Sequence, residues 1–237
     1  GGLIDQEKVL NFTFNGQILK GYEGDTLASA LLANNKHLIG RSFKYHRPRG
    51  IVTAGSEEPN AIMEIGNGAY KDPNTRATVT QLYNGLEANS QNHRGPLSFD
   101  FMAITDFLSP LLGAGFYYKT FMWPKAFWEK FYEPAIRKSA GLGTLSTEAD
   151  PDTYDKGFRH CDILIIGAGA TGLSAALTAA ESGAKIILAD EDFLMGGRLN
   201  SETNEIDGIA GSEWAKKTVA KLGAMENVTL MAETTIF

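Results

Sequence analysis

The sequence predicts two folds in series: an α+β module over residues 1–73 and, from residue 159 onward, the first part of an α/β domain built on a parallel sheet. Three observations predict it. Near the N-terminus an alternating segment closes on Asn15-Gly16, a strong two-residue hairpin signal. Farther on, the unbroken apolar run Ile163-Leu164-Ile165-Ile166 leads directly into the glycine-rich hexapeptide Gly167 to Gly172. Charge also divides the chain: residues 1–150 carry 15 Lys/Arg against 15 Asp/Glu, whereas residues 151–237 carry 7 against 13, so the net −6 arises entirely after residue 150.

Each element has a local reason. Val9 to Phe14 alternates and Gln17 to Tyr22 returns, giving two short strands around the Asn-Gly turn. Gly24-Asp25-Thr26 precedes the apolar stretch Leu27 to Ala33, so Asp25 or Thr26 caps a short helix that ends near Asn34-Asn35. After the basic segment Arg41 to Arg49, a Gly/Ser/Pro-rich loop leads to a strand over Ala61 to Ile65. Hairpin, helix, loop and strand in this order fit a β-grasp arrangement.

Residues 74–158 form an aromatic-rich connector. Half of the chain's 24 aromatic residues lie between Phe99 and Tyr132, punctuated by Pro96, Pro110, Pro124 and Pro134. Proline at these intervals prevents long helices and predicts short turns and extended segments. The aromatics form either a small core or a surface that packs on the next domain or a partner. Ala140 to Lys156 reads as a linker.

Composition excludes several functions. Apolar residues make up 43% and charged residues 21% of the 237, which fits folded globular domains. No run approaches the roughly 18 apolar residues of a membrane span, and the N-terminus has no signal-peptide pattern, so a cytoplasmic protein is expected. Neither half is basic enough to expect nucleic-acid binding. His37, His46, His93 and His160 lack ligand spacing, so no metal site is expected. Cys161, the one cysteine, excludes an intrachain disulfide and a four-thiolate cluster, and it reads as a small apolar residue at a strand start.

The residues from Asp162 onward carry the chemistry. The apolar run predicts a strand buried on both faces, and Leu173 to Ser182 a helix ending at Gly183. Lys185 to Ala189 is a second strand running into Asp190-Glu191-Asp192, and Val228 to Met231 a third. Gly167 permits the strand-to-helix turn, Gly169 leaves room for a pyrophosphate, and Gly172 allows the helix to pack on the strand. The helix N-terminus then faces the phosphates. Asp190, 23 residues after Gly167, stands where an acid accepts from a ribose and disfavours a 2′-phosphate. Together these define a Rossmann-type dinucleotide domain, though the fingerprint alone does not separate NAD from FAD. Met195-Gly196-Gly197-Arg198-Leu199 adds a second glycine pair, with Arg198 either pairing with the pyrophosphate or standing on the surface.

Four segments together resemble the α subunits of heterotetrameric sarcosine oxidases: Gly24 to Ala33, Arg41-Ser42-Phe43-Lys44-Tyr45-His46-Arg47-Pro48-Arg49-Gly50, Ala114 to Pro124, and the glycine loop. The resemblance runs from Gly2 to Phe237. It implies an oxidoreductase that oxidatively demethylates sarcosine, with FAD and FMN in a β subunit and with γ and δ subunits completing the assembly. It implies NAD in this chain, held by Gly167, Gly169, Ala170, Thr171, Gly172, Asp190, Glu191, Asp192, Gly197 and Arg198, and at the third-strand end by Ile236 and Phe237. No catalytic residue is expected in this chain. The N-terminal module is similar to plant-type ferredoxins, but Ala54-Gly55-Ser56-Glu57-Glu58-Pro59 occupies the position of a Cys-x-x-Cys pair, so no iron–sulfur cluster is expected.

Other readings stay open. Arg41 to Arg49 is either a phosphate or acidic-partner contact or a solvated loop, and Glu57-Glu58 reads as solvated loop charge. The chain is alternatively an FAD-binding subunit of a related amine, opine or proline dehydrogenase, or a noncatalytic scaffold with a structural nucleotide. The absence of Met at position 1 and the three strands remaining after residue 159 are read as a fragment that would expose a sheet edge on its own.

Overall fold

A computed structural model describes residues 3–110, 112–116, 123–139 and 143–237. It contains two compact units, Gly1–Val52 with Glu58–Pro151, and Thr53–Glu57 with Asp152–Phe237.

The first unit is built on the hairpin. Strands β1 (Asp5–Phe14) and β2 (Gln17–Glu23) pair antiparallel across Asn15 and Gly16, whose φ values of 50° and 76° are both left-handed, as such a turn requires. Alternation turns Phe12, Phe14 and Leu19 inward onto helix α1 (Leu27–Ala33), which buries Leu27, Ala28, Ala30 and Leu31. Of the two expected caps, Thr26 caps. Its Oγ1 accepts from Ser29 N at 3.1 Å, while Ser29 Oγ accepts from Thr26 N at 3.0 Å. Asp25 is buried behind this box and accepts from Ser29 Oγ at 2.5 Å and from Tyr22 N at 2.9 Å.

Short strands β3 (Gly40–Arg41) and β4 (Pro48–Arg49) pair with each other. Strands β5 (Ile62–Ile65), β6 (Asp72–Arg76) and β7 (Glu87–Ser90) complete a five-stranded sheet in the order β2-β1-β7-β5-β6. β7 runs parallel to β1 and antiparallel to β5. The sheet therefore continues past residue 73 into the segment read as connector. β7 is the reason: Glu-Ala-Asn-Ser buries only Ala88 and carries no strand-favouring side chain.

Beyond the sheet, the proline-punctuated segment forms short pieces as expected. A 3₁₀ turn at Phe101–Ala103 runs into α2 (Ile104–Phe107), and a π turn at Trp128–Tyr132 runs into α3 (Glu133–Ser139). None of its described aromatic side chains is buried, so the small-core reading does not hold for them. Tyr117 to Met122 of the Ala114 to Pro124 motif lie outside the described residues.

The solvated-loop readings are corrected in two places. Arg41 and His46 are buried. The Arg41 guanidinium donates to Leu97 O at 2.9 and 3.0 Å, to Ser98 O at 3.2 Å and to His46 O at 3.0 Å. His46 Nδ1 lies 2.6 Å from Asp100 Oδ2. Burial works to raise the Asp100 carboxyl, but the N–H groups of Arg94 and Met102, together with His46, hold it below the ordinary carboxylate range. Glu58 is also buried, and its carboxylate accepts from the N–H groups of Val52, Asn60 and Ala61. Unpaired backbone donors in a tight loop recruit the nearest carboxylate, and here that is a residue read as solvent-facing.

In the second unit β8 (Ile163–Ile166), β9 (Ile186–Ala189) and β12 (Val228–Met231) form a parallel sheet in the order β12-β9-β8. Helix α4 (Ala170–Glu181) connects the first pair. A hairpin of β10 (Glu205–Ile206) and β11 (Ile209–Ala210) and helix α5 (Gly211–Gly223) precede β12. All four residues of β9 are buried, as expected of a central strand. β8 differs from the expectation of burial on both faces: it lies at the sheet edge among the described residues, and Ile163, Leu164 and Ile166 are exposed. No helix among the described residues is long and apolar enough to cross a membrane.

Candidate functional site

The site assembles at the carboxyl ends of β8 and β9, where parallel strands open toward a ligand. β8 ends at Gly167, whose φ of +92° turns the chain and whose N–H donates to Ala189 O at 2.8 Å, tying the loop to the end of β9. Gly169 is the N-cap of α4, and the first intrahelical bond runs from Leu173 N to Gly169 O at 2.9 Å. The N–H groups of Ala170, Thr171 and Gly172 therefore have no acceptor within the helix, and the helix dipole adds positive character there.

Space divides the glycines by role. A Cβ on Gly169 would meet nothing within 4 Å, which is room for a phosphate group above the helix start. A Cβ on Gly172 would stand 1.8 Å from Gly167 O, so the helix approaches the loop as closely as glycine permits.

Asp190 closes the floor of the site. One carboxylate oxygen accepts from Ala168 N and the other from Asp192 N, the latter at 2.8 Å. The acid that sequence reasoning assigned to a ribose thus also clasps the glycine loop to the end of β9. Its remaining lone pairs are free for a ligand hydroxyl. Asp192 is half-buried, and burial pushes its carboxyl above the ordinary range, with the neighbouring Asp190 and Glu191 charges adding to the rise against the N–H groups of Leu194 and Phe193. Glu191 is exposed beside them.

The second glycine pair folds back onto the loop. Gly196 N donates to Ala168 O at 2.9 Å, and a Cβ on Gly197 would lie 3.2 Å from Gly169 Cα. Arg198 follows immediately, 76% exposed, with Nη2 at 2.5 Å from Glu202 Oε1. Sequence reasoning missed Glu202, whose signal is its i+4 spacing from Arg198.

Ile236 and Phe237 are placed differently from the expectation. β12 ends at Met231, and these two residues lie beyond it, both exposed. The part of this segment that reaches the site is nearer: Glu233 N donates to Asp192 O at 3.1 Å and Thr234 N to Asp190 O at 2.8 Å. Backbone rather than side chain makes these contacts, so no residue type signalled them.

A family model of FAD dependent oxidoreductases matches residues 162–228, and one of 2Fe-2S iron-sulfur cluster binding domains matches residues 7–93. The sarcosine oxidase subunit alpha of Rhizobium meliloti (strain 1021) is 59% identical over 236 residues, and that of Corynebacterium sp. (strain U-96) is 34% identical over 241. Over its whole length the chain is similar in sequence to these sarcosine oxidase α subunits. It spans 24% and 20% of the length of those two relatives, and all of it is covered by each alignment. An L-proline dehydrogenase from P. horikoshii shares its fold, with a TM-score of 0.52 at 18% identity over 97% of this chain and 34% of that one.

These matches correct the cofactor expectations. The dinucleotide region matches FAD-dependent enzymes, so FAD replaces NAD as the nucleotide to test against the site, and the assignment of flavin to a partner alone is lost with it. The residues present fit FAD: open space over Gly169, three free N–H groups and an acid at the end of β9. The module, read as ferredoxin-like and expected to hold no cluster, matches a 2Fe-2S cluster binding family. Residues 7–93 include no cysteine, so they supply none of the thiolates such a centre takes and do not fit the group.

Proposed function

We propose that the chain supplies the adenine-dinucleotide end of an FAD site in an oxidoreductase of the sarcosine oxidase kind, within a Rossmann-type domain that follows a β-grasp module. The observation that carries this reading is the Gly167–Gly172 loop, closed by Asp190 and open above Gly169. Ala170, Thr171 and Gly172 donate to the pyrophosphate, the missing Cβ of Gly169 admits it, and Asp190 accepts from a ribose hydroxyl while holding Ala168. Arg198, one residue past the Gly197 that approaches Gly169, is the cation proposed to neutralise phosphate charge. FAD, if bound, would supply a two-electron acceptor for the hydride of an amine C–H, such as that of sarcosine, the C–N bond becoming an imine as the amine N–H proton leaves. The residues of this chain bind and orient the dinucleotide, and the amine and further subunits meet the flavin outside these residues.

The test is the flavin content of the full-length protein. FAD released by denaturation is counted per chain in wild type and Asp190→Ala. The reading expects the variant to lose one FAD per chain. Equal FAD content in the two proteins overturns it.

A further inference from the structure

Arg198 is already engaged by an anion of the chain's own. The turn Gly196–Gly197 is pinned against the glycine loop by the bond to Ala168 O, which holds Gly197, the residue before Arg198, close to Gly169. Leu199, the next residue, is buried in the core of the unit and prevents the turn from rotating away. Glu202 stands one helical turn later. Its N–H donates to Arg198 O at 3.0 Å, one carboxylate oxygen lies 2.5 Å from Arg198 Nη2, and the other accepts from Asn204 Nδ2 at 2.7 Å. The Glu202 side chain is 29% exposed where that of Arg198 is 76% exposed. The carboxylate is therefore the fixed member of the pair, and the guanidinium is the mobile one.

We infer that Glu202 competes with the dinucleotide pyrophosphate for Arg198, so that the guanidinium is handed from the carboxylate to the phosphates when FAD binds. The inference rests on the FAD reading and deepens it. A guanidinium pairs with carboxylate and phosphate through the same bidentate geometry, so both anions seek the same face of Arg198. Releasing an exposed pair of this kind costs little, which makes Glu202 a modest brake on affinity rather than a block.

The experiment titrates FAD into the flavin-stripped full-length protein and follows quenching of flavin fluorescence for wild type, Glu202→Gln, Arg198→Met and the double variant. Glu202→Gln keeps an acceptor for Asn204 and removes the charge. It is expected to tighten FAD binding about two- to fivefold. Arg198→Met is expected to weaken it, and adding Glu202→Gln to Arg198→Met is expected to change nothing further, because there is then no guanidinium to compete for. Unchanged or weaker binding in Glu202→Gln, or the same gain with and without Arg198, overturns the inference while leaving the FAD site standing. A wild-type protein that takes up no FAD overturns both.

Discussion

Two alanine substitutions three residues apart are expected to fail in different ways. At Gly172 the new Cβ would sit 1.8 Å from Gly167 O, against an ordinary C···O contact of about 3.3 Å. Helix α4 must then withdraw by roughly 1.5 Å, or the loop must open, and overpacking of this kind costs about 1–3 kcal/mol or more. At Gly169 the Cβ meets nothing, and the backbone φ of −71° suits alanine. Losing glycine at the N-cap costs about 1 kcal/mol, and the stiffer unfolded chain returns about 0.4–1 kcal/mol, so stability barely changes. Both variants lose FAD affinity, Gly172→Ala because the N–H groups retreat from the phosphates and Gly169→Ala because the methyl occupies their space. At about 1.4 kcal/mol per tenfold, a 3 kcal/mol loss is on the order of 100-fold. Thermal unfolding and FAD titration of the full-length protein separate the two effects. Gly169→Ala binding FAD as tightly as wild type would refute the placement of the pyrophosphate, and Gly172→Ala with an unchanged melting temperature would refute the packing.

Three further outcomes follow from buried charges. Arg41→Met orphans the carbonyls of His46, Leu97 and Ser98, and denaturant unfolding is expected to show the first unit weaker by about 3 kcal/mol; a loss under about 1 kcal/mol contradicts the clasp. Asp192 has a raised folded-state pKa, so the stability tied to its protonated form is present below the unfolded value and is lost as pH rises through the folded one. Asp192→Asn, which keeps that uncharged form, is therefore expected to melt higher than wild type at neutral pH, with the gain vanishing below about pH 4; a lower melting temperature at pH 7 contradicts this. Asp100 has a lowered pKa, so its contribution is present above the unfolded value of about 3.9 and is lost as pH falls through the folded one. Acid titration of Asp100→Asn is expected to show a shallower loss of stability in that window, and a slope equal to wild type counts against it.

Much of the second unit was legible because parallel-sheet grammar is local. The apolar runs, Gly183 and the acid after β9 place the strands within a residue and the helix end within one, the helix itself beginning three residues earlier than expected, and β12 begins and ends where the sequence put it. The Asn15-Gly16 hairpin and the Thr26 cap were legible for the same reason, as short-range chemistry. What escaped is long-range. β7 is a strand because β1 and β5 flank it, and nothing in Glu-Ala-Asn-Ser says so. Arg41, His46 and Glu58 look like surface residues by type, yet Arg41 and Glu58 are buried where distant or awkward backbone groups use their polar atoms, and His46 is buried against the distant Asp100 carboxylate. The exposure of β8 was equally illegible, since its apolar run is that of an internal strand while among the described residues it pairs with β9 alone. At the site, the glycines and Asp190 were readable, whereas the double use of the Asp190 carboxylate and the hold of Glu202 on Arg198 depend on geometry that no motif encodes.

The account stands on one placement, a dinucleotide pyrophosphate over the start of α4. An experimental density map of the full-length protein with FAD bound measures it directly. The predicted result is phosphate density above Gly169, within hydrogen-bonding distance of the Ala170 and Thr171 N–H groups, with a ribose at Asp190. FAD density elsewhere, with the space above Gly169 empty, would contradict it.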